Sequence, residues 1–196
     1  MFNEVVFGSE FFEGLRRTDA AIAEAVRVAR CPHCGGPLHR GDYGRKPRGG
    51  LMAAAGEAQV RRYSFCCGQE GCRRRATPPS VRFLGRRVYL EAVVIGVSVL
   101  GLAFRRAQDR HRATGVPART VGRWCSWWSG SFVMTAVFAA LRARLVTSLP
   151  RAALPGILLA RMRGSTPHRV GQLGRWLAPL TTASVSDGSR FLRGVP

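Results

Sequence analysis

Two short runs in this chain carry residues whose types and spacing can do chemistry. They are Cys31-Pro32-His33-Cys34-Gly35-Gly36 and, further along, Cys66-Cys67-Gly68-Gln69-Glu70-Gly71-Cys72. A Cys-x-x-Cys turn followed by glycine aims two thiolates at one tetrahedral ion, and a second cysteine pair completes four sulfur ligands. Four protein ligands leave no open position, so the chemistry expected is structural rather than hydrolytic, and Zn²⁺ is the ion such sets take. Cys31 and Cys34 form the first pair. Cys72 pairs with Cys67 or Cys66, since neighbouring residues of a strand point to opposite faces. Cys67 is preferred, because Gly68 and Gly71 then give the turn its freedom. Cys66 is the alternate. His33 and His39 are the other conceivable ligands, and four reduced cysteines without metal are the plain alternative. Cys125 reads as a packing residue.

The charge of the chain narrows its partners. Lys and Arg number 31 against 11 Asp and Glu, a formal net charge of +20 over 196 residues, and Lys46 is the single lysine. A guanidinium fork fits phosphate and guanine edges. A GC-rich genome explains arginine in place of lysine, but not the scarcity of acids. The balance therefore points to a polyanion such as nucleic acid. Met1 to Phe12 carries acids and no basic leader, and the apolar run Ala92 to Phe104 is too short to span a bilayer. The expectation is a cytoplasmic, nucleoid-associated protein without a membrane partner, in which clustered cysteines are ligands rather than disulfides.

The elements that must position these residues follow from periodicity. Thr18 reads as an N-cap for an amphipathic helix from Asp19 to about Arg30. Leu38–Tyr43 and Val60–Cys66 read as strands of a hairpin with a Gly- and Arg-rich connection. Two hairpin-borne turns around one ion form a zinc-ribbon arrangement. Thr77-Pro78-Pro79-Ser80 reads as a rigid connector. A helix apolar on all faces, hence buried, starts near Gly85. Phe104–Ala113 and Ala118–Ser129 read as helices broken at Gly115-Val116-Pro117. Phe132–Val146 reads as an amphipathic helix for packing or for a homodimer through residues 132–146.

Helix, glycine-containing turn and second helix from Phe104 to Trp128 stand in the order of a helix-turn-helix. Val116, Val121 and Cys125 then face inward. Arg119, Thr120 and Arg123 lie at the end that enters a major groove, and Arg105, Arg106, Arg110 and Arg112 flank them on phosphates. An ordinary helical hairpin with solvated arginines is the alternative. Trp124, Trp127 and Trp128 read as packing residues.

The order of the two cysteine runs, Arg73-Arg74-Arg75, Thr77-Pro78-Pro79-Ser80 and Gly115-Val116-Pro117-Ala118-Arg119-Thr120-Val121-Gly122-Arg123-Trp124 resembles the zinc-ribbon plus helix-turn-helix modules in front of bacterial insertion-sequence transposases. The resemblance covers about residues 31 to 128. It implies DNA binding at element ends, metal ligands at Cys31, Cys34, Cys67 and Cys72, and DNA contacts at Arg119, Thr120 and Arg123. A transposase needs three carboxylates for two Mg²⁺. After residue 72 the acids are Glu91, Asp109 and Asp187, so no enzyme is expected. The fold class read is α+β, with small N-terminal zinc-ribbon β-hairpins followed by an all-α helix-turn-helix domain. The divisions are 1–30 helical, 31–80 ribbon, 81–149 helix-turn-helix with a packing helix, and 150–196 a weakly structured basic tail. The reading is a zinc-containing protein of double-stranded DNA. The alternatives are a truncated or non-catalytic transposase part, or an RNA-binding zinc ribbon using Arg45 to Arg48.

Overall fold

The computed structural model describes residues 7–45, 60–84, 89–103, 107–145 and 149–183. It is a mixed α+β protein with small antiparallel sheets and a larger helical part. No helix among the described residues is long and apolar enough to cross a membrane.

The first helix, α1 (Ser9–Val28), buries Phe12, Leu15, Asp19, Ile22, Ala23 and Val26 at helical spacing. It starts ten residues before the expected Asp19. Thr18 is not its cap, because its hydroxyl donates to the Gly14 carbonyl inside the helix (3.0 Å). The apolar stripe runs through two separate cores. Phe12, Leu15 and Ile22 belong to the helical core, whereas Ala23 and Val26 pack against Leu38, Tyr63, Phe65, Cys67 and Ala76.

Strands β1 (Leu38–Arg40), β4 (Phe65–Cys67) and β5 (Arg75–Ala76) form one sheet in the order β1-β4-β5, and β2 (Tyr43–Gly44) pairs with β3 (Arg61–Arg62). Each of the two expected strands is thus broken in two. The breaks face each other, with the Ser64 amide donating to the Asp42 carboxylate and the Gly41 amide to the Ser64 carbonyl. Most of the connection between the strands, residues 46–59, lies outside the described residues.

Asp19 lies mid-helix in α1, not in a first turn, and joins the two cores. Its carboxylate accepts from the Ser80 hydroxyl (2.6 Å), the Val81 amide (2.7 Å) and the Arg82 Nε (2.8 Å). Both members of the Asp19–Arg82 pair are 0 % exposed. The Arg82 guanidinium also donates to the Arg61 carbonyl (2.9 Å) and lies over the rings of Tyr63 and Phe83. Beside it, buried Arg62 donates to the Pro78 carbonyl (2.6 Å). Burial favours the neutral form of Arg62.

The central helix α2 (Glu91–Ala103) begins six residues after the expected Gly85; residues 85–88 lie outside the described set. It is buried from Ala92 to Val97, as its apolar faces demand. Helix α3 (Ala107–Thr114) starts after the expected Phe104, residues 104–106 being outside the described residues, and α4 (Ala118–Ser129) falls where expected. The single helix expected over 132–146 is instead a 3₁₀ turn (Phe132–Met134) and α5 (Ala136–Arg144), because the Thr135 hydroxyl caps the Phe138 amide. Phe138 and Leu141 are consumed by the chain's own core, while Met134 is 81 % exposed.

The segment 150–196, expected as a weakly structured tail, is folded over its described residues 150–183. It holds a 3₁₀ turn (Arg151–Ala153), α6 (Gly156–Ala160), α7 (Thr166–Leu177) and a last 3₁₀ turn (Ala178–Thr181). Leu154, Leu158, Leu159, Val170, Leu173 and Leu177 are buried, and α7 packs on α2. At Gly174 an added Cβ would make only ordinary contacts, 3.5 Å from the Val81 carbonyl and 3.9 Å from the Glu91 carboxyl carbon, so the packing of α7 on α2 does not depend on this glycine.

Glu91 is fully buried, and neither of its carboxyl oxygens has a hydrogen-bond partner. Burial pushes its carboxyl well above the ordinary 4.5. A group that holds its proton in the fold and loses it on unfolding costs stability as pH rises above 4.5. Glu91→Gln is therefore expected to stabilise the protein at pH 7, with the gain shrinking toward pH 4.5, as urea melts across that range will read. Asp19→Ala removes the carboxylate that compensates the buried Arg82 charge, and is expected to cost about 3–5 kcal/mol in the same melts.

Candidate metal centre and basic helix face

The first turn is built at the end of α1. Arg30, at φ 67°, reverses the chain, and the Cys31 carbonyl accepts from the Gly35 amide (2.8 Å). Gly35 takes φ 70°, a conformation glycine adopts at no steric cost. The second turn follows β4. The Gln69 carbonyl accepts from the Cys72 amide (3.2 Å) and the Arg73 amide (3.3 Å), with Gly71 at φ 81° and Arg73 at φ 45°.

These turns bring Cys31, Cys34, Cys67 and Cys72 together, and their sulfurs all lie within 4.8 Å of one another. Cys34 and Cys67 stand 3.5 Å apart, Cys31 and Cys72 3.8 Å. Tetrahedral zinc–thiolate bonds of about 2.3 Å place sulfurs about 3.8 Å apart, so the four residues fit one ion. Each inner sulfur also accepts a backbone N–H two residues on, Gly36 to Cys34 and Gln69 to Cys67, both at 3.4 Å. Gly36 is a spacing requirement of this site. A Cβ there would meet Gln69 Cβ at 2.8 Å and the sulfurs of Cys67 and Cys34 at 3.1 and 3.3 Å.

The electrostatics of the bare set explain what an ion would do. Burial opposes ionisation of Cys31, yet the amides of His33 and Cys34 bring its thiol down to about 7. The Gly36 amide favours the Cys34 thiolate, but the neighbouring sulfurs of Cys72 and Cys67 outweigh it and push Cys34 up to about 12. Burial raises Cys67. The Cys31 thiolate forms readily, whereas Cys34, crowded by neighbouring sulfurs, and Cys67, held back by burial, resist. A dication offsets that resistance and takes up the released sulfurs.

Register settles the choice between the adjacent cysteines. Cys67 pairs with Leu38 on the buried face, while Cys66 pairs with His39 and Arg75 on the other. Cys66 is not in the cluster, and neither is His39, whose ring lies against Gly68. The His33 ring takes a contact from Arg74 (3.3 Å) instead of a ligand place. Cys125 is half-buried against the helical core, as a packing residue should be.

The other sequence-marked residues gather on α3 and α4. The chain turns at Gly115 (φ 65°), its amide on the His111 carbonyl (2.8 Å), and drives Val116 fully into the core. On α4, Val121, Trp124 and Trp128 are buried. At 100° per residue, Arg119 and Arg123 fall on the opposite side, where both are exposed. Thr120 is half-buried and its hydroxyl accepts from the Arg123 guanidinium (3.3 Å). The rotation of α4 is pinned from below, with the Trp128 indole N–H donating to the Ser98 hydroxyl of α2 (3.0 Å). Arg112 is exposed on α3. Arg105 and Arg106 lie outside the described residues, as does the side chain of Arg110.

Comparison with models of known protein families, with curated proteins and with solved structures finds no match to this chain.

Sequence reasoning missed Asp19 as a buried ligand of Arg82 and the left-handed arginines at both cysteine turns. The first carried a signal, an acid on an otherwise apolar stripe between Leu15 and Ile22. The second carried none. Cys67→Ser is expected to abolish stoichiometric metal binding and Cys66→Ser to leave it intact, as metal analysis of the purified variants will show.

Proposed function

We propose that this chain is a zinc-bound, DNA-binding protein, with a zinc ribbon at Cys31, Cys34, Cys67 and Cys72 and a helix-turn-helix formed by α3 and α4. The observation that carries the reading is the outer face of α4. It offers Arg119 and Arg123, with Thr120 between them, on a helix indexed by buried tryptophans. Around it, residues 107–183 hold eleven arginines and one acid, Asp109. A basic field draws a polyanion to the surface, and forked donors at a helix N-terminal half read guanine edges in a major groove. Phosphate contacts alone would not need a helix fixed in rotation; base readout does.

The four sulfurs support zinc because soft thiolates in a closed tetrahedral set select it, and because no water position remains for catalysis. The metal's part is to hold the Cys31–Cys34 and Cys67–Cys72 turns together. Glu91, buried and favouring its neutral form, is unsuited to holding Mg²⁺, which supports a binding role over strand transfer. A mobile-element role agrees with the order of the motifs.

Selection of bound duplexes from a random pool, with zinc measured on the same preparation, tests the reading. A defined duplex motif and one zinc per chain are expected. Arg119→Ala and Arg123→Ala are each expected to relax one base position at a cost of about 1–3 kcal/mol. Recovery of no motif, or preference for structured RNA in competition, refutes duplex readout by α4.

A further inference from the structure

We propose that Arg73 and Arg74 are a second contact for the phosphate backbone of the same duplex, and that the occupied four-cysteine site is what presents them. The proposal rests on the duplex-DNA reading above. Arg30 directly precedes Cys31 and Arg73 directly follows Cys72, and both take positive φ, 67° and 45°. An L-residue in that region is strained in a way that glycine would avoid. Strain of this kind persists where the surrounding structure imposes it, and it gathers at functional sites. Here two arginines bracket the ligand set in a left-handed backbone conformation that any Cβ disfavours.

The backbone of the arginine run is held by the metal turns themselves. The Arg73 amide bonds the Gln69 carbonyl inside the second turn, and the Cys67 amide donates to the Arg74 carbonyl (2.9 Å). The Arg74 guanidinium reaches the His33 ring in the first turn. The run is therefore tied to both halves of the cysteine site, and its geometry exists only while the halves are together.

The three arginines divide by role. Arg75 is occupied by the fold, donating to the Gly41 carbonyl (3.1 Å) and the Ser64 hydroxyl (3.0 Å) and lying over Tyr43. Arg73 and Arg74 are exposed. The ion pairs among the described residues engage Arg16, Arg17, Arg27, Arg40 and Arg82, and leave these two uncompensated. Asp42, an acid of the same small sheet unit, is already taken by the Ser64 amide and Arg40. Glu70, the acid within the second turn, is exposed and makes no ion pair with either arginine, so the run Arg73–Arg75 keeps a net positive charge there, which suits phosphate. Since the metal-bearing unit has its own core, loss of the ion dissolves this surface while α4 stays seated on the helical core.

The test measures binding of the zinc-loaded full chain to one duplex of fixed sequence over a range of salt. Each phosphate contact contributes about 0.9 to the slope of log affinity on log salt. Arg73→Ala/Arg74→Ala is expected to lower the slope by nearly two such units with zinc content unchanged. Arg73→Gly/Arg74→Gln, which fits the left-handed backbone, is a second variant should the first fail to hold zinc. Chelation of the wild-type chain is expected to produce the same loss of slope, retained helix content by circular dichroism, and rapid tryptic cleavage after Arg73 and Arg74. A wild-type slope in both zinc-loaded variants, with a reduced slope in Arg119→Ala/Arg123→Ala, overturns the second contact and leaves the duplex reading standing. Chelated protein that keeps the full slope overturns the role of the metal site. A wild-type chain without duplex affinity overturns both readings at once.

Discussion

A single carboxylate, that of Asp19, holds the architecture together. It sits in the middle of a helix whose first half belongs to one core and whose second half belongs to another. By accepting from Ser80, Val81 and Arg82 it fastens the connector between the sheet unit and α2 onto α1. Arg82 completes the joint by reaching the carbonyl of Arg61. Removing two charges from water is expensive, and the pair persists because hydrogen bonds from several elements satisfy it. The joint thereby fastens the cysteine unit to the helical unit through buried, directional bonds.

Around that joint the two units are stabilised differently. The helical unit has a large apolar core, with α2 buried on all sides between α4 and α7. The sheet unit has strands of two or three residues and a core of eight buried side chains. So little buried apolar surface does not hold such strands without help, which is the usual reason for small units to recruit a metal. Their mutual dependence is one-sided: the sheet unit leans on α1, and α2 through α7 complete their core without it.

What could be read in the sequence follows the range of each interaction. Helix α4 and the buried nature of α2 were legible because their signals are local, a proline start and an apolar run. The cysteine set was legible because ligand spacing is a short-range constraint, and glycines beside Cys67 marked the face. Helix α1 was read too short because Thr18 resembles a cap when its partner at Gly14 is unseen. Helix α7 was missed because its leucines are spaced among glycine, proline and arginine, and their burial depends on α2, which lies far earlier in the chain but adjacent in space. The long stripe from Met134 to Leu145 was read as one helix because nothing in its period shows that the Thr135 hydroxyl would stop it.

The bond between the Trp128 indole and the Ser98 hydroxyl has a consequence for the orientation of α4. Ser98 gives its own proton to the Val94 carbonyl, which orients its oxygen so that a lone pair faces the Trp128 indole N–H. An apolar underside alone would tolerate small rolls of α4 about its axis, since van der Waals contact is forgiving over a few degrees. A directional donor and acceptor are not. Replacing the indole with a plain hydrocarbon ring would leave the interior filled but free the rod to roll, and the guanidinium tips of Arg119 and Arg123, several bonds from the axis, would swing furthest. The tryptophan thus acts as a keyway, converting tight packing into angular accuracy.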